Sequence, residues 1–185
     1  MSRPEDALAG VPADIVERAA SVRLAVFDVD GVLTDGRVIL GDDGFEYKAF
    51  HTHDGHGLRM LQDSGIEVAI ITGRTSVVVS RRAEELRVRH LMQGRRDKRP
   101  ALEELAARLG VPLAATAYVG DDLVDLPAMR AAGLGVAVAS ATAPVRAHAH
   151  HVTRRGGGDG AAREVCELLM AARGTLEHAC APYLD

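Results

Sequence analysis

Two aspartates one residue apart close the first apolar run of the chain. Residues 22–27 lead straight into Asp28-Val29-Asp30-Gly31-Val32-Leu33-Thr34-Asp35-Gly36. On an extended segment, side chains two apart point the same way, so Asp28 and Asp30 can face one reaction centre. Asp and Gly are also common turn formers, and this run alone describes a solvated turn equally well. Later run ends add to it. Ile71-Thr72-Gly73-Arg74 offers a hydroxyl and a backbone N–H at a helix start, donors suited to a phosphoryl oxygen. Lys98 falls near the start of the helix after the third run, as a site cation or as an exposed helix-cap lysine. Gly120-Asp121-Asp122-Leu123-Val124-Asp125 gathers carboxylates whose mutual repulsion is costly without a cation. A hard divalent ion with oxygen ligands, Mg²⁺ before others, resolves that repulsion.

Four run ends must meet for this chemistry to occur. In doubly wound α/β sheets ligands bind beyond the carboxyl ends of the strands, which is where these residues fall. Residues 22–27, 68–71, 90–93, 117–119 and 136–139 are Val- and Ile-rich and mostly unbroken, as strands buried on both faces of a parallel sheet are. Between them, Leu102, Leu105, Ala106 and Leu109 follow a helical stripe from Pro100 to a stop at Gly110. Similar stripes occupy residues 58–61, 77–86, 123–132 and 161–172. Alternating strand and helix predicts an α/β fold, a three-layer Rossmann-like sandwich around a parallel sheet. Residues 37–50 break the rhythm: two short runs around Gly41-Asp42-Asp43-Gly44 predict a β-hairpin, a flap over what the first strand presents. The expectation is one domain over 1–185, with a core at about 20–174, the flap at 37–50 and a tail at 175–185.

Composition excludes several other classes. The 185 residues are 47% apolar and 26% charged, with three Phe, three Tyr and no Trp, so the core must be mainly Ala, Val, Leu and Ile. A net charge of −4 is a poor basis for binding nucleic acid or an anionic membrane, and neither partner is expected. Cys166 and Cys180 form no Cys-x-x-Cys motif, so no disulfide framework or cysteine zinc site is indicated, and a reducing, cytoplasmic home is expected. No export signal or membrane span is read from the chain. Eight His suggest zinc, but His148, His150 and His151 follow the fifth run, away from the carboxylates, and suit a strand edge. His51, His53 and His56 instead flank the hairpin and the Asp54-Gly55 loop.

The DxDGV loop, a Thr ending the second strand, a Lys and an acidic GDDxxD loop, in that order, resemble the haloacid dehalogenase superfamily of phosphatases over residues 22–173. The resemblance implies Asp28 as nucleophile, forming an aspartyl-phosphate, and Asp30 as general acid and base. It implies Mg²⁺ held by Asp28, the backbone carbonyl of Asp30 and Asp121, with Thr72 and Lys98 on the phosphoryl group. Asp122 and Asp125 are expected to bind metal waters or orient Lys98.

Too few positions separate Asp30 from Thr72 to hold the hairpin, a helix, a strand and a separate α/β cap. An open site needs another body to cover it, so a homo-oligomer is expected, with hairpins 38–50 at the interface. A finer resemblance is to the 3-deoxy-D-manno-octulosonate 8-phosphate phosphatase family, capless tetramers. It rests on the Asp28 to Gly36 loop, Lys48-Ala49-Phe50-His51 followed by Asp54-Gly55-His56-Gly57, Thr72-Gly73-Arg74, the stretch from Tyr118 to Pro127, and Gly157-Gly158-Asp159-Gly160-Ala161-Ala162-Arg163-Glu164. This family implies a phosphorylated sugar acid, bound through Thr72, Gly73, Arg74, Arg82 and Lys98, and a tail at 175–185 that reaches a neighbour's site as a lid. The chain departs from the pattern at Asp159, where the family has a basic residue, and at His53 and His56, where it has Arg and an aliphatic residue. A nonulosonate 9-phosphate or another small sugar phosphate is the alternative substrate. A non-catalytic oligomerisation module of the same fold is the alternative of another class, and the intact set Asp28, Asp30, Thr72, Lys98 and Asp121 argues against it.

Overall fold

The computed structural model of the chain describes residues 4–42 and 44–184. Asp43 of the expected hairpin turn and Asp185 of the tail lie outside the described residues. In chain order the strands are β1 (Leu24–Phe27), β2 (Ile39–Leu40), β3 (Glu46–Tyr47), β4 (Glu67–Ile71), β5 (His90–Met92), β6 (Thr116–Gly120), β7 (Leu134–Ala137) and β8 (His151–Val152). The helices are α1 (Pro4–Leu8), α2 (Ala13–Ala20), α3 (Thr52–Asp63), α4 (Val77–Glu85), α5 (Lys98–Leu109), α6 (Leu126–Ala131), α7 (Ala143–His148), α8 (Ala161–Ala172) and α9 (Leu176–Cys180).

Six strands form one parallel sheet in the order β5-β4-β1-β6-β7-β8, flanked by helices in a three-layer sandwich. Every residue of β1 is buried, as the unbroken apolar run requires. Phe27 at its end pairs with Ile70 of β4 and Val119 of β6. That register brings Asp28, Thr72 and Asp121 to one edge of the sheet. On one side α3 packs on α8, and α1 and α2 pack on α8 as well, while α5 and α6 pack together. Cys166, Met60, Met129 and Met170 are core residues.

Several elements differ from the sequence expectation. β8 is only two residues long, too short to show a period, and it completes the sheet edge at His151. His150 on the same edge accepts a hydrogen bond at Nδ1 from Gly135 N–H. α2 buries Ile15 and Ala19 on one face, while α1 and α7, five and six residues long, are too short for a helical stripe to show in the sequence. α6 starts at Leu126 rather than 123, because Leu123 and Val124 stand exposed in the acidic loop. The hairpin is shorter than its apolar runs, with Ile39 paired to Tyr47 and Leu40 to Glu46. The tail folds back as α9, anchored by buried Leu176, and the Tyr183 hydroxyl lies 3.0 Å from His56 Nε2.

Candidate active site

At the carboxyl end of β1 the chain winds into a tight loop in which Val32, Leu33 and Thr34 all donate to the carbonyl of Val29. The Thr34 hydroxyl donates to that carbonyl and accepts from Gly31 and Gly36 N–H, so its short side chain holds the loop closed. Gly31, at φ +90°, is where the loop turns; a Cβ there would lie 2.0 Å from Asp121 Oδ2. The glycine therefore lets the acidic loop after β6 approach the loop after β1.

Asp28 is buried at the base of a cavity of about 530 Å³ that Asp30, Thr72, Gly73, Arg74, Arg96, Lys98, Asp121 and Asp122 also line. Lys98, the first residue of α5, is just as buried, and its Nζ lies 2.8 Å from Asp28 Oδ2 and 2.6 Å from Asp125 Oδ1. Burial alone would lower the pKa of this ammonium; the charges and hydrogen bonds of Asp28 and Asp125 outweigh it and raise the pKa. Lys98 is therefore a fixed positive charge, not an exposed cap. Asp125 is the hub of the cluster. Its Oδ1 also accepts from the buried Tyr118 hydroxyl at 3.2 Å, and its Oδ2 accepts from Asp121 and Asp122 N–H at 3.1 and 3.3 Å. Asp122 turns its own Oδ1 to Leu123 N–H. Burial and the charge of Asp125 push the Tyr118 phenol well above its ordinary pKa, so it donates to Asp125 as a neutral hydroxyl.

Asp28, Asp121 and Asp125 each bring a carboxylate oxygen within 4.8 Å of the other two. Both oxygens of Asp125 are committed to the donors just named, which leaves Asp28 and Asp121 to face a cation. Burial, then repulsion from Asp125, pushes Asp28 up to about 7 against the pull of Lys98. The same causes push Asp121 up to about 7. Among the described residues, Asp28 Oδ1 is buried without a hydrogen-bond partner. A site with a buried orphan oxygen and two carboxylates strained towards neutrality is short of positive charge. An all-oxygen donor set of this kind fits Mg²⁺.

Thr72 ends β4, is buried, and accepts at its hydroxyl from Arg74 N–H at 3.4 Å. Arg74 lines the cavity but is already engaged, with Nη2 2.7 Å from Glu46 Oε1 and Nε 3.9 Å from Asp30 Oδ2. Arg82 lies outside the cavity of its own chain; it binds Glu85 at 2.9 Å and its guanidinium stacks over Phe50 at 5.6 Å. His51 caps α3, accepting from His53 N–H, while His53 and His56 line a separate hollow of about 760 Å³ with Arg154, Arg155 and Arg163.

Sequence reasoning missed four residues here. Tyr118 was hidden as one more apolar residue of a strand. Arg96 was signalled only by its place in the basic stretch before Lys98. Glu46 in β3 and Lys48 just past its end lie two apart, and both turn to the same face. That face meets the site: Lys48 Nζ bonds Asp30 Oδ1 and lies 3.3 Å from Glu46 Oε1.

The haloacid dehalogenase-like hydrolase family pattern matches residues 87–165. The 3-deoxy-D-manno-octulosonate 8-phosphate phosphatase of Yersinia pestis is 49% identical over 166 residues, 90% of this chain and 89% of the relative. Its counterpart in Escherichia coli K12 is 47% identical over 169 residues, 91% and 90% of the two chains. The crystal structure of the Moraxella catarrhalis phosphatase of that name, in complex with magnesium, phosphate and a KDO molecule, superposes with a TM-score of 0.90 at 45% identity, covering 92% of this chain and 98% of that one.

Proposed function

The chain belongs to the 3-deoxy-D-manno-octulosonate 8-phosphate phosphatase family of haloacid dehalogenase-like hydrolases, and from that premise we propose that it removes the phosphate of 3-deoxy-D-manno-octulosonate 8-phosphate with Mg²⁺ as cofactor. The observation that carries the chemistry is the buried pair of Asp28 and Lys98, with Asp28 Oδ1 left free. A carboxylate oxygen with no other partner, beside a fixed ammonium, is equipped to attack phosphorus.

Asp28 Oδ1 attacks in line, the bond from phosphorus to the sugar oxygen breaks, and Asp30 gives that oxygen a proton. Asp30 then takes a proton from the water that attacks the aspartyl-phosphate, and phosphate leaves with Asp28 regenerated. Lys98, the Thr72 hydroxyl and Gly73 N–H hold the phosphoryl oxygens, and Asp125 keeps Lys98 in place. When bound by Asp28, Asp121 and the Asp30 carbonyl, Mg²⁺ supplies the positive charge that lets a carboxylate approach a phosphate dianion. Arg74 and Arg96 are the cations placed to read the sugar carboxylate.

The hairpin supports assembly into a homo-oligomer, a tetramer in keeping with the family. Val38, Ile39, Leu40, Phe45 and Tyr47, in or next to a two-stranded sheet separate from the main one, are each about half exposed or more. So small a sheet is marginal alone, and a second copy of the same face would cover it. Among the described residues no helix is long and apolar enough to cross a membrane, and both cysteines are free thiols. A cytoplasmic site of action agrees with this.

A phosphate-release screen with Mg²⁺ over 3-deoxy-D-manno-octulosonate 8-phosphate, a nonulosonate 9-phosphate, nucleotides and phosphorylated oligonucleotides tests the reading. The octulosonate should lead in kcat/KM by at least about tenfold, a margin of roughly 1.4 kcal/mol in transition-state binding. A faster nonulosonate would move the assignment to that substrate. No release from any of them would leave the non-catalytic module as the reading.

A further inference from the structure

We propose that Lys48 is the positioning residue that fixes the Asp30 carboxyl for proton transfer, so that the hairpin flap is a working part of the site. The inference rests on the reading of Asp30 as acid and base. The Lys48 side chain is 1% exposed, yet it does not line the cavity around Asp28. Its ammonium is spent on two carboxylates, Asp30 Oδ1 and Glu46 Oε1. Burying an ammonium is costly unless it is paired, so this geometry is held from both sides. Arg74 closes the ring, with Nη2 2.7 Å from Glu46 Oε1 and Nε 3.9 Å from Asp30 Oδ2.

The consequence for Asp30 is atomic. With Oδ1 bound by Lys48, the carboxyl is held in one rotamer, and Oδ2, 3.9 Å from Arg74 Nε and so beyond hydrogen-bond reach of it, is the atom left to exchange a proton. Oδ2–H gives its proton to the sugar oxygen as the bond from that oxygen to phosphorus breaks and the Asp28 bond to phosphorus forms. Oδ2 then takes a proton from water as the water oxygen bonds phosphorus and Asp28 is released. Lys48 keeps its own protons throughout. A donor must sit within hydrogen-bond reach of the atom it serves, and small misplacements of such a group are expensive in rate.

The test uses two leaving groups. A sugar alkoxide needs a proton to leave, whereas p-nitrophenolate does not. Lys48→Met, which keeps the stem, should lower kcat on the sugar phosphate by about a hundredfold, the usual scale of general acid–base assistance, and leave KM within about threefold. The pre-steady-state burst of p-nitrophenolate from the aryl phosphate should keep nearly its wild-type rate, because the first step there needs no acid. Lys48→Arg should recover most of the lost turnover. Should Lys48→Met fold poorly, Glu46→Gln/Lys48→Met removes one of the two carboxylates that the ammonium had neutralised and must show the same split. Equal slowing of burst and sugar turnover, or no slowing of either, overturns the inference. Asp30→Asn separates the two levels. Full sugar-phosphate turnover in Asp30→Asn fells the reading of Asp30 and this inference with it, while its loss there but not in Lys48→Met fells this inference alone.

Discussion

The ammonium of Lys98 lies 2.8 Å from Oδ2 of Asp28 and leaves Oδ1 of that carboxylate with no hydrogen-bond partner among the described residues. One oxygen is held by the ammonium and the other is buried with no donor of its own. Asp28→Asn replaces the free oxygen or the held one with an amide nitrogen that cannot form the acyl phosphate. Turnover should fall by at least about a thousandfold, the scale of losing a nucleophile. The circular dichroism spectrum should not change, because β1 and its neighbours hold Phe27 and not the aspartate side chain. A variant with near-wild-type phosphate release would remove Asp28 from the mechanism.

Mg²⁺ binding should be linked to protons. Burial and repulsion push Asp28 and Asp121 up to about 7, from an ordinary 3.8. In the metal-free protein the folded chain therefore holds protons that the unfolded chain has already released, and stability falls as pH rises across that interval. The dication takes the place of those protons, so its apparent affinity grows with pH. Thermal unfolding of chelator-treated protein from about pH 5 to about pH 8 should show stability declining, and a hundredfold excess of Mg²⁺ over Kd should restore about 2.7 kcal/mol at the high end. A Mg²⁺ shift that is the same at every pH would contradict the assignment of these two carboxylates.

What could be seen in advance and what could not divides along a physical line. Asp28, Thr72 and Asp121 each follow an apolar strand, and parallel pairing alone puts such positions at one edge, so their meeting was legible from local pattern. Lys98 was visible as a residue type but not as a buried one, since its burial depends on Asp125 reaching it from a different loop. The bond between Lys48 and Asp30 was beyond reach for the same reason. Period two shows that Glu46 and Lys48 share a face, but only the docking of the hairpin shows what that face meets. Arg82 is a substrate donor only by what the family resemblance implies, and the fold sets it beside Phe50 and Glu85, outside the cavity of its own chain.

The hairpin joins assembly to catalysis in a way that can be broken from outside. Leu40 is 71% exposed, on the strand paired with the one that leads to Lys48. Leu40→Asp would bury an unpaired carboxylate in any interface built on this face, at several kcal/mol for each ion. Sedimentation velocity should show smaller species than wild type at micromolar concentration. Turnover of the sugar phosphate should fall about tenfold as the flap loosens and Asp30 loses its fixed partner. An unchanged sedimentation coefficient would rule out the hairpin as the interface.

Gly31 and Gly65 together separate the cost of a strained backbone from the cost to the metal site. Both adopt the left-handed region, at φ +90° and +85°. A Cβ on Gly65 meets nothing within 4 Å, whereas one on Gly31 lies 2.0 Å from Asp121 Oδ2. Gly65→Ala and Gly31→Ala thus share a conformational penalty of about 1–2 kcal/mol. Only Gly31→Ala also drives the Asp121 carboxylate away from Asp28. Calorimetric titration should show Mg²⁺ affinity about 10–100-fold weaker in Gly31→Ala, as expected when a ligand's support is lost, and unchanged in Gly65→Ala. Equal Mg²⁺ affinity in the two variants would contradict Asp121 as a ligand, since its carboxylate is what the added methyl would displace.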